Sequence, residues 1–174
     1  ERMIRQMEED LDHLEELYER MAENRKMMAA LAAGLVKDAH GQIDYVFYAK
    51  SRLDPLESAW QPGEDFAAYR KRMREALVKN LLDEEGGAIN SADPLSEYMK
   101  YAEKDRKLRA KVRAIEDRVD QNAQNLGQVP DELRAREKQV KEQRQEADHL
   151  AKEISEVDDL SFEDVAEDLE KLEP

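Results

Sequence analysis

The sequence predicts an all-α protein: a long N-terminal helix and an antiparallel coiled-coil hairpin, with a small helical head. Three observations carry this. Of 174 residues, 40% are charged and 40% hydrophobic, while only 6% are aromatic; with six Gly and five Pro, turn residues are too few for a protein of many short strands. Apolar residues recur at alternating spacings of three and four from the start of the chain, in Ile4, Met7, Leu11, Leu14, Tyr18 and Met21, which is the seam one helix presents to another. Pro and Gly cluster at a few places, and each cluster separates two periodic stretches.

The first heptad continues through Arg25, Met28, Ala32, Leu35, Ala39, Gln42, Val46, Ala49 and Leu53, and no Pro occurs before Pro55. One helix is therefore expected over 2–52, on the order of 75 Å long at 1.5 Å per residue, with Gly41 as its weak point. Up to Met21 the apolar stripe is narrow and flanked by acid, whereas Met27 to Val36 holds ten residues without a charge and reads as enclosed. Asp54-Pro55-Leu56-Glu57 has the order N-cap, first-turn Pro and third-position Glu, and predicts a short helix to about Trp60. Phe66, Tyr69, Met73, Leu77 and Leu81 then share a helical face that Gly86-Gly87 ends.

Asp93-Pro94 opens the next helix, about 94–126, with Tyr101, Leu108, Val112, Ile115, Val119 and Leu126 on one stripe. Gly127, Pro130 and Asp131 are a stop followed by a start, and Leu133, Val140, Ala147, Leu150, Ile154 and Val157 mark a helix over 131–158. A short loop between two such helices makes an antiparallel hairpin. Asp105 and Asn122 interrupt the first stripe and Arg136 and Gln143 the second, as register-fixing polar residues do. Ser161-Phe162-Glu163-Asp164 begins an acidic amphipathic piece with Val165, Leu169 and Leu172 on one face. The expected organisation is residues 1–93 for the long helix and head, 94–158 for the hairpin and 159–174 for the acidic tail.

The net charge is -14, concentrated in 131–174, and only 95–130 is net positive. That balance argues against a bare phosphate backbone as partner of the whole chain. No cysteine is present, so disulfides, thiolate metal sites and Cys nucleophiles are excluded. The longest uncharged run is about half of what a bilayer crossing needs, and no membrane insertion is expected. The expected compartment is the cytoplasm, although a Cys-free chain suits a periplasm too.

Chemistry has little to stand on. Asp10-x-x-His13 and Glu146-x-x-His149 have the spacing used by di-iron bundles, but both His lie beside the seam and not within it, so no metal and no other cofactor is expected. No Gly-x-Ser-x-Gly elbow and no Gly-rich phosphate loop occurs. The expected function is a non-enzymatic scaffold or adaptor that works through helix-to-helix contacts with protein partners and self-associates. Its expected contact residues are Ile4, Met7, Leu11, Leu14, Tyr18 and Met21 on the seam and Phe162, Val165, Leu169 and Leu172 on the tail. The rival is a component of a chromosome- or nucleic-acid-associated coiled-coil machine. It would use Arg70, Lys71, Arg72 and Arg74 together with Lys104, Arg106, Lys107, Arg109, Lys111 and Arg113 on phosphates.

Overall fold

The structure is a computed structural model that describes residues 2–83 and 93–162. Its helices are α1 (Arg2–Ala33), α2 (Tyr45–Arg52), α3 (Phe66–Asp83), α4 (Pro94–Leu126) and α5 (Asp131–Ser155). Among the described residues the only extended pairing is an isolated antiparallel bridge between Lys37 and Ile43. The chain forms two compact units, one from residues 1–29 and 101–153 and the other from 30–100 and 154–174. The predicted all-α class is what the chain adopts.

The first unit is a three-helix bundle. Asp10 on α1 meets Arg118 on α4, and Arg25 meets Asp105, so these two helices run antiparallel. Asp12 meets Arg136 and Arg25 meets the carbonyl of Ala147, so α1 and α5 run parallel. The hairpin turn between α4 and α5 contains Gly127 at φ +71°, a backbone conformation that glycine adopts without the penalty a Cβ brings. Asp131 and Glu132 in the first turn of α5 complement its N-terminal dipole.

The N-terminal seam closes inside this bundle. Met7, Leu11, Leu14, Leu17, Tyr18 and Met21 form one buried cluster with Val112, Ile115 and Val119 of α4 and Leu133, Val140 and Ala147 of α5, and Ile4 packs against its edge. At one end of the seam a charged pair takes over. Arg25 and Asp105 are 3% and 1% exposed; Arg25 donates to both Asp105 oxygens, at 2.8 and 3.4 Å, and to the Ala147 carbonyl at 2.6 Å. Arg109 adds a second donor to Asp105 at 2.9 Å. All three helices thus share one polar knot, which favours this register because a slip would leave buried charges unpaired.

The predicted 2–52 helix does not run through. α1 ends at Ala33, and Lys37 folds back so that its ammonium donates to the carbonyls of Ala32 and Leu35. Asp38 then accepts from the backbone of His40 and Gln42, Gly41 takes φ +79°, and Asp44 caps α2 by accepting from Phe47 N–H at 2.9 Å. Short acidic side chains bonded to nearby backbone compete with a continuing helix, and here two of them win. The run from Met27 to Val36 is also not enclosed. Met28, Ala32 and Leu35 are buried, but Met27 is 46% and Val36 43% exposed, the outcome of an ordinary amphipathic stripe.

The second unit packs α2 against α3 and adds the first turns of α4. Ile43, Tyr45, Ala49, Leu53, Tyr69, Met73, Leu77, Leu95, Tyr98, Met99 and Ile154 are among its buried apolar residues. Residues 54–58 form a turn closed by Asp54, whose carbonyl accepts from Glu57 and Ser58, in place of the predicted short helix. α5 stops at Ser155, where 158 was expected, because Val157 and Asp158 bond back to Ile154 in a final turn and the Val157 carbonyl accepts from Ile43 N–H at 2.8 Å.

Candidate interaction surfaces

Asp158 is the centre of the second unit. It is fully buried and accepts hydrogen bonds from the phenols of Tyr45, at 2.8 Å, and Tyr98 and from the Ser161 hydroxyl. Burial, followed by the charge of Asp158, pushes both phenols well up from their ordinary value, so they stay protonated donors. Two guanidiniums lie over the Tyr45 ring, Arg70 at 5.3 Å and Arg74 at 5.7 Å. The Asp158 oxygens accept from these internal donors and from Leu160 N–H, which ties residues 154–162 to α2 and α4.

The basic residues predicted on α3 are largely absorbed by the same unit. Arg70 is 6% exposed; it pairs with Asp159 and Asp38 and donates to the Ile43 carbonyl. Arg74 donates to the Ser161 hydroxyl at 3.4 Å. Arg72 holds Glu64 with two nitrogens, at 2.7 and 2.9 Å, and donates to the carbonyls of Glu57 and Ala59. These hydrogen bonds hold the Glu64 carboxyl below its usual range. Lys71 also has an interaction partner within the chain. Three of these four cations therefore organise the fold around them.

What Arg72 organises is the loop between α2 and α3. Tyr69 OH donates to the Ser58 carbonyl, Gln61 N–H donates to Glu64, and Asp65 accepts from Ala68 N–H at 2.8 Å. On this braced loop Leu56 is 87%, Trp60 50% and Phe66 45% exposed. The Trp60 ring is fixed by Tyr69, centroid to centroid 4.7 Å, and by Phe66 at 6.3 Å. An aromatic anchor held in place before binding loses little conformational entropy when a partner covers it. The periodicity of the sequence was a poor guide to this surface: it set Phe66 on the face shared by Tyr69, Met73, Leu77 and Leu81, which are buried while Phe66 at the start of α3 is not. The apolar residues between Pro55 and Pro62 were the other trace.

The second surface lies in the bundle. A groove of about 950 Å³ is lined by α1, α4 and α5, with Ala22, Met27, Tyr101 and Leu108 as its apolar residues. Arg20 pairs with Glu16 at 2.6 Å, and Lys26 lies 3.9 Å from Glu23 and 3.7 Å from Glu146. Lys104, Lys107 and Lys111 also line the groove, at positions that share one face of α4. Lys104 lies over the Tyr101 ring at 5.4 Å, and among the described residues none of these three lysines meets a carboxylate at ion-pair distance. Of the other predicted cations on α4, Arg106 pairs with Glu103, Arg109 with Asp105, and Arg113 has a partner within the chain.

The remaining predicted positions divide cleanly. Ile4, Met7, Leu11, Leu14, Tyr18 and Met21 sit in or against the core of the bundle, so the seam faces α4 and α5 of its own chain. Phe162 is half-buried, and Val165, Leu169 and Leu172 lie outside the described residues. Asp10 is buried and bonded to Arg118, which holds its carboxyl below the ordinary range, while His13 points outward. His149 is paired with Glu153 on its own helix. Among the described residues no group of His, Asp and Glu gathers in the way a metal requires, and no helix is long and apolar enough to cross a membrane. No protein-family model, curated protein or solved structure matches the chain.

Proposed function

We propose that the protein is a non-enzymatic helical adaptor, and that it works through the exposed aromatic loop at 54–66. The supporting observation is the pairing of exposure with rigidity: Leu56, Trp60 and Phe66 face outward from a loop that Arg72, Tyr69 and Asp54 hold in one conformation. Large apolar side chains left uncovered on a braced loop favour a protein partner, because they cost solubility unless something covers them. The Ile4–Met21 seam, closed within the chain, contributes stability to the adaptor and not contact area.

Polyanion binding is the weaker reading. Lys104, Lys107 and Lys111 are suited to phosphates, but Glu16, Glu19, Glu23 and Glu146 line the same groove and oppose an extended backbone of negative charge.

A photo-crosslinking residue at position 56 or 60 of the full chain in cells tests the adaptor reading. Defined protein adducts are expected there and not at exposed Glu142 on α5. Equal labelling at all positions, or none at 56 and 60, sinks it.

A further inference from the structure

Two uncovered surfaces of the same molecule have matching chemistry. Residues 54–66 contain Asp54, Glu57, Glu64 and Asp65 and no Lys or Arg, so the apolar loop carries an acidic rim; of these only Glu64 is taken up by Arg72. The groove offers apolar residues beside a row of three lysines without carboxylate partners among the described residues. Of the acids that also line it, Glu16 pairs with Arg20 and Glu23 and Glu146 with Lys26, so the three lysines outnumber the remaining Glu19. An apolar projection rimmed by acid and an apolar groove rimmed by lysine are the two halves of a contact.

We infer that the Leu56–Trp60–Phe66 loop of one molecule docks in the Lys104–Lys107–Lys111 groove of a second copy. This rests on the adaptor reading and names its partner. Within the contact, Trp60 and Leu56 cover Tyr101, Leu108 and Met27, while Asp54, Glu57 and Asp65 approach the lysine row. The two surfaces differ, so the association is head-to-tail: each molecule in a pair leaves one loop or one groove free, and growth continues unless the geometry closes a ring. Charge pairs at the rim make the association weaken with added salt, and the apolar centre keeps it from vanishing there.

The test uses half-defective variants of the full chain in sedimentation velocity. Leu56→Asp combined with Trp60→Ala removes the loop half. Lys104→Glu, Lys107→Glu and Lys111→Glu together remove the groove half. Wild type is expected to form concentration-dependent oligomers, and each variant alone to associate roughly 30-fold more weakly or worse. Mixed, the two variants should form a one-to-one pair and nothing larger, since only one intact contact remains between them. Leu56→Asp alone, at a residue 87% exposed, guards against misfolding and should weaken association with unchanged circular dichroism.

A wild type that stays monomeric across the dilution series overturns the inference, as do variants that associate like wild type or a mixture that forms no pair. Failure here leaves the adaptor reading standing. That reading falls only when positions 56 and 60 capture no protein in cells.

Discussion

The two units bury polar groups in opposite ways. At one layer the apolar seam of the bundle is broken by a buried charge cluster, in which Asp105 takes both Arg25 and Arg109. The second unit centres on a single carboxylate, Asp158, whose hydrogen bonds come from three hydroxyls and one backbone N–H, with the Arg74 guanidinium close by. An ion pair out of water is demanding, because removing either member leaves an uncompensated charge, whereas a hydrogen-bond hub loses its members one at a time. The bundle therefore specifies register sharply at one layer, and the second unit fastens a whole segment, residues 154–162, through many modest bonds.

The largest expected effect separates these two designs. Asp105→Ala should destabilise the protein by about 3–5 kcal/mol in urea unfolding, because Arg25 stays buried without its partner. Arg25→Met joined to Asp105→Leu should recover most of that loss. If the double variant is no better than the single one, the pair is not an isolated charge problem in an apolar seam.

Asp158→Ala should cost less, about 2–3 kcal/mol, by leaving buried hydroxyls without their acceptor. The comparison sharpens if hydrogen exchange in this variant rises first at residues 154–162 and α2 while the centre of the bundle stays protected. Uniform loss of protection across both units would show that they unfold as one.

The smallest effect is a pH dependence confined to the bundle. Asp10 titrates below its ordinary value because Arg118 hydrogen-bonds the charged form. A depressed carboxyl contributes stability that is fully present above its unfolded value, about 3.9, and is lost as pH falls through the folded value. The stability gap between wild type and Arg118→Met should accordingly shrink below about pH 4. Half-exposure of Arg118 keeps that gap under about 1 kcal/mol at neutral pH. A gap that is constant from pH 7 to pH 3 would remove the ion pair as its cause.

Much of the fold was legible residue by residue. Asp93-Pro94, Gly127, Pro130 and Asp131 marked helix boundaries that the structure keeps, because caps and breakers act over a few residues and need no distant partner. The break after Ala33 was less legible. The heptad phase persists through Leu53, and only the bonds made by Lys37, Asp38 and Asp44 interrupt it. Asp105 was recognisable as a break in the stripe and Arg25 as a charged seam position, but their pairing across 80 residues is a tertiary fact.

Sequence alone therefore determined the helical class, the hairpin and the apolar stripes, since these follow from local propensity and periodicity. Tertiary structure decided which surfaces remain open. It closed the N-terminal seam against the chain's own hairpin, drew Arg70, Arg72 and Arg74 into internal bonds, and left Leu56, Trp60, Phe66 and the three groove lysines uncovered. The reason is physical: periodicity says that a face must be buried, but only the packing of distant segments says what covers it and what is left to meet another molecule.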